Sequence, residues 1–118
     1  MIRVTVSLSA EGVIGSLDAE GHAGFALRGT DIICSAFTIL LRTFARSIEA
    51  SSGITWRVGD QGSGKFQLAV EAIASPLAEQ YRGCSEFLLR GLEDLAAEQP
   101  QQVHIEYGQR SGRLFHGS

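Results

Sequence analysis

The chain reads as an α+β domain: a two-layer sandwich with two helices packed on a mainly antiparallel, mixed sheet. Three observations predict it. Short runs alternate apolar and polar residues, two longer runs repeat apolar residues every three or four positions, and together they follow the order ββαββαβ. Alternation places one face of a strand toward a core, and the longer period places a stripe along a helix. Two stripes and several one-sided strands bury each other when both helices cover the same sheet face. At 118 residues the chain has room for one such core and not for two.

The first strand spans residues 2–8, with Ile2, Val4, Val6 and Leu8 on one face and Arg3, Thr5 and Ser7 on the other. Ala10-Glu11-Gly12 turns the chain into a second strand from Val13 to about Glu20, weakened at Gly15. Residues 21–30 carry glycines and no period, and read as a loop. From Asp31 the period changes, and Ile33, Phe37, Leu40, Leu41, Phe44 and Ile48 form the apolar stripe of a helix. Thr30 or Asp31 suits its N-cap, and Ser51-Ser52-Gly53 stops it.

Alternating runs at 54–59 and 65–73 flank Asp60-Gln61-Gly62-Ser63-Gly64 and predict a hairpin. Pro76 opens a second helix, with Leu77, Tyr81, Cys84, Leu88, Leu92 and Leu95 along one stripe. Pro100 ends it, and Val103–Tyr107 forms the last strand. Residues 1–108 are expected to form the domain and 109–118 a polar, flexible tail.

Composition narrows the function. Ten basic against thirteen acidic residues give a net charge of −3. No basic stripe is present for a phosphate backbone, so direct nucleic-acid binding is not expected. No apolar run approaches a membrane span, and the amino terminus lacks the pattern of a secretory leader. The expected location is the cytoplasm, where Cys34 and Cys84, too few for a disulfide framework, stay reduced.

A reduced thiol is a nucleophile once ionised, and a helix start favours the thiolate through unpaired amides and the peptide dipoles. Cys34 falls in the first turn of the first helix. His22, where the second strand runs into the loop, is the nearest proton acceptor. The plain alternatives remain open from spacing alone: a small core cysteine and a solvated histidine. Cys84 lies on an apolar stripe with no partner at metal-ligand spacing, so no metal and no cofactor is expected. His104 and His116 read as solvated. Gly59 to Lys65 matches most of a phosphate-binding loop, but a strand follows where a helix is required, and it reads as a hairpin turn.

Gly21-His22-Ala23, followed by Gly29-Thr30-Asp31-Ile32-Ile33-Cys34-Ser35-Ala36, resembles the motif of the ribosomal-processing cysteine protease family (Prp). Ile33, Ser35 and Phe25 stand where that family commonly has valine, alanine and tyrosine. The resemblance implies a cysteine endopeptidase with Cys34 as nucleophile and His22 as proton acceptor and general acid. It further implies a homodimer. The implied substrate is the precursor of the twenty-seventh large-subunit ribosomal protein, cut after a Phe-Phe pair to remove a short amino-terminal extension. Asp31, Ser35 and Gly21 are candidate supporting residues, with Asp31 either capping the helix or orienting His22. Gly24 and Gly29 are candidate hinges of a flap over the peptide. The competing readings are a non-catalytic ribosome-associated binding module of the same fold and a redox thiol enzyme. The second lacks a well-placed resolving cysteine.

Overall fold

In the computed structural model, residues 1–21, 32–60 and 65–117 are described. The elements are β1 (Ile2–Leu8), β2 (Ile14–Glu20), α1 (Ile32–Glu49), β3 (Ile54–Asp60) and β4 (Lys65–Ala74). A 3₁₀ turn (Ser75–Leu77) then leads to α2 (Ala78–Glu98), β5 (Val103–Tyr107) and β6 (Phe115–His116). The expected α+β order is present, with one strand added at the carboxyl end.

The sheet runs β3-β4-β2-β1-β5. All these pairings are antiparallel except β1 with β5, which is parallel because α2 returns the chain before β5 begins. Alternation in β1 buries Ile2, Val4 and Val6, while β2 contributes Ile14, Leu17 and Ala19 to the same face. In β4 the buried positions are Leu68 and Val70, then Ile73, so the phase changes midway. The cause is a bulge: Thr55 pairs Ala72 and Trp56 pairs Val70, which leaves Glu71 as the extra residue. Its carboxylate meets the Arg57 guanidinium at 2.8 Å on the open side of the sheet.

Both helices cover the apolar face. From α1 the core takes Phe37, Leu41, Phe44 and Ile48, and from α2 it takes Tyr81, Leu88 and Leu92. The helices run antiparallel. Phe44 and Tyr81 have ring centroids 6.0 Å apart, and Gln80 donates to Ser51 at 3.4 Å. Further along, the Leu40 methyls lie where a side chain on Gly91 would begin, 3.0 Å from its Cβ position.

The segment from Gln109, expected to fray, is instead seated on the domain. Leu114 is buried, and β6 adds to β4 in parallel, with Ile73 opposite Phe115. β3 occupies the other side of β4 here, so β6 takes the edge that β2 leaves free beyond Ala69. The Glu11 carboxylate accepts from the amides of Leu114 and Phe115 at 3.0 and 2.9 Å. Arg110 donates to the Ser9 carbonyl at 3.1 Å, and Arg82 lies over the Phe115 ring. Partial burial disfavours the Glu11 charge, but the Phe115 and Leu114 amides and the Ser9 hydroxyl outweigh it and hold its pKa at about 2.

Candidate active site

Cys34 is the third residue of α1, in the turn where amides lack intrahelical partners. That turn contains no acidic residue, so nothing within the helix offsets the preference of its amino end for negative charge. Ser35 beside it is exposed, and Ile32 is 81% exposed. Phe37, one turn on, is 1% exposed and fixes this end of α1 to the core.

Two chain paths bring the start of α1 and the end of β2 to the same end of the molecule. The carboxyl end of α1 feeds β3, whose far end, Asp60, pairs with Phe66; Phe66 in turn lies opposite Ala19 on β2. Since α1 runs back along that direction, its amino end sits at the Glu20 end of the sheet. Likewise, α1 is antiparallel to α2, and α2 ends at the turn leading to Val103, which pairs with Ile2. Ile2 in turn neighbours Arg3, the partner of Glu20. The turn bearing Cys34 and the strand end leading to His22 therefore share one end of the fold.

Gly21, the last described residue before His22, has φ +88°, and a Cβ there would lie 2.0 Å from the Met1 carbonyl oxygen. His22, Gly24, Gly29 and Asp31 lie outside the described residues. Other candidates are placed clearly. His104 and His116 are exposed on β5 and β6. Lys65 opens β4 directly, so a strand begins where the phosphate-binding motif requires a helix. Among the described residues no group of three or more His, Cys, Asp or Glu could hold a metal ion, and no described helix is long and apolar enough to cross a membrane.

The α2 stripe contains a polar position that periodicity missed. Ser85 is 1% exposed and accepts from the Ile14 amide at 2.9 Å, whereas Cys84, expected in the core, is only half-buried. Cys84 lines a groove of about 620 Å³ between the helices, with Ile39, Leu40, Phe44 and the exposed Phe87. That lining begins at Ile39, more than one helical turn beyond Cys34.

A cysteine in the first turn of a helix, carried on a two-layer α+β domain, is an arrangement suited to cysteine-nucleophile hydrolysis. Residues 1–104 match the family model described as cysteine protease Prp, and the chain belongs to that family. Among solved structures it is similar to the essential ribosomal processing protease Prp of S. aureus in complex with a covalently linked product peptide. The TM-score is 0.76 at 19% identity, covering 92% of this chain and all of that one. It is also similar to SMU.848 of Streptococcus mutans, with a TM-score of 0.75 at 23% identity over 93% and 96% of the two chains. None of the curated proteins matches it significantly in sequence.

Proposed function

We propose that the protein is a ribosomal-processing endopeptidase in which Cys34 and His22 form the catalytic dyad. One observation carries the reading: Cys34 lies in the first turn of α1, at the end of the sheet where β2 delivers the chain to His22. The family supports the class of chemistry, and the S. aureus relative, a ribosomal processing protease held with a peptide, supports the kind of substrate.

In this mechanism His22 takes the thiol proton, and the Cys34 sulfur adds to the scissile carbonyl carbon. Amides of the first turn, those of Cys34 and Ser35 foremost, stabilise the oxyanion. Collapse of the tetrahedral species breaks the C–N bond, and the imidazolium gives its proton to the departing amine. Water then attacks the thioester, returning the acid product and the thiol. The substrate is the amino-terminal extension of the twenty-seventh large-subunit ribosomal protein, cleaved after paired phenylalanines in the cytoplasm by a homodimer.

Incubation with a peptide spanning a Phe-Phe junction tests the reading. Cleavage is expected from the unaltered protein and should be absent in Cys34→Ala and His22→Ala. Cleavage that survives in Cys34→Ala removes the mechanism. Tight peptide binding without cleavage by the unaltered protein identifies a binding module instead, and sedimentation of the same sample reads the dimer.

A further inference from the structure

We propose that Gly21 is a positioning residue for His22, acting through its contact with the main chain of Met1. The inference rests on the dyad reading above and adds to it what sets the direction in which the chain leaves the sheet.

Two independent features exclude a side chain at this position. Gly21 has φ +88°, a region that L residues other than Asn and Asp rarely enter. A Cβ built there would also stand 2.0 Å from the Met1 carbonyl oxygen and 3.2 Å from its carbonyl carbon. Both are backbone atoms, so no rotamer change relieves the overlap. Nor is the Met1 carbonyl free to retreat. The next residue, Ile2, donates its amide to Gln102 at 2.6 Å and pairs with Val103, and its side chain is 2% exposed.

Any side chain at 21 must therefore lift the start of β1 from β5 or rotate Gly21 out of the left-handed region. The first opens the sheet at its core edge. The second redirects the chain at the residue immediately before the proposed base. The bend is thus built where the strand ends and the catalytic segment begins, and β1 and β5 hold it from behind. Gly12 provides the contrast: its φ is +84°, yet a Cβ there meets nothing within 4 Å.

The test compares Gly21→Ala with Gly12→Ala, reading peptide cleavage and the pH dependence of Cys34 alkylation by iodoacetamide. Mass spectrometry of the alkylated peptides separates Cys34 from Cys84. Gly21→Ala is expected to lose about 100-fold in kcat/KM, mostly in kcat, as misplacement of a catalytic group by about 1 Å does. Its Cys34 alkylation profile should move up toward the ordinary thiol value near 8.5, because the imidazolium no longer supports the thiolate. Gly12→Ala, strained through φ alone and at the opposite end of β2, should melt at lower temperature with cleavage and profile unchanged.

Should Gly21→Ala fail to fold, one extra glycine inserted between Gly21 and His22 keeps the bend and shifts only the base; the same losses are expected. Unaltered kinetics in a folded Gly21→Ala or in the insertion variant overturns the inference, while the dyad stands if His22→Ala is inactive. Full activity in His22→Ala overturns both.

Discussion

The Tyr81 hydroxyl donates a 2.5 Å hydrogen bond to the carbonyl oxygen of Ile14. The Ile14 amide in turn donates to Ser85, one turn further along α2. Both main-chain groups of one buried strand residue are thus satisfied by a helix, at the point where the β1–β2 register shifts. Burial, with Cys84 adding, keeps the Tyr81 phenol protonated well above its ordinary range, so it stays a donor at any physiological pH. The pair fixes how α2 is rotated and how far it slides over the sheet, which apolar packing alone leaves loosely specified.

Tyr81→Phe keeps the ring against Phe44 and strips the donor, leaving a buried carbonyl unpaired. The expected cost is about 1–3 kcal/mol. Urea denaturation should show a lower midpoint with an unchanged slope, because the surface exposed on unfolding is the same.

The layers were legible because their signals are local. Ile2, Val4 and Val6 alternate, and Phe37, Leu41, Phe44 and Ile48 repeat at helical spacing; the structure buries all seven. What escaped depends on distant partners. Ser85 is buried because a strand amide 71 residues away needs an acceptor, and no period encodes that. β6 is two residues long and is held by a carboxylate more than a hundred positions earlier, so its segment reads as polar tail. The β4 phase change follows from a bulge whose partner lies across the hairpin. The placement of Cys34 in the first turn of a helix was legible from the change of period, while its pairing with His22, the nearest proton acceptor by position, stood beside plainer alternatives until the motif was read. The requirement at Gly21 comes from Met1 main chain, which a linear pattern does not relate to it.

Glu11 should behave as the latch of the carboxyl-terminal segment. Its folded pKa is about 2 against an ordinary 4.5. The lowered value means its contribution is fully present above about pH 4.5 and is lost as pH falls toward 2. Glu11→Gln removes the charge at neutral pH and should destabilise the fold by roughly 1–2 kcal/mol, the scale of charge-assisted bonds at a partly exposed site. Hydrogen exchange should speed up at Leu114 and Phe115 in this variant while the β1 amides stay protected. Unchanged exchange there would show that β6 holds without the carboxylate.

Phe37 links core packing to the candidate nucleophile, since it lies one turn past Cys34 and is 1% exposed. Phe37→Ala should cost about 3–5 kcal/mol. The informative variant is Phe37→Leu, which retains most of the volume and should fold. It is expected to slow Cys34 alkylation and peptide cleavage together, because the first turn of α1 loses its anchor. Leu92→Ala, equally buried but on α2, should lower the melting temperature and leave the alkylation profile in place.

Asp31 separates two roles that its position before α1 allows. As an N-cap it supplies an oxygen to unpaired amides, a task asparagine performs equally well. As an orienting group for His22 it needs the negative charge, which would also raise the thiol pKa three residues on and oppose activation. The cap is therefore the expected role. Asp31→Asn should retain cleavage within about twofold, with the Cys34 alkylation profile moved slightly down if at all. Asp31→Ala, with no capping oxygen, should lower stability by about 1 kcal/mol and loosen the turn that carries Cys34. A collapse of cleavage in Asp31→Asn, with the melting temperature unchanged, would instead assign the carboxylate to His22 and make the site a triad.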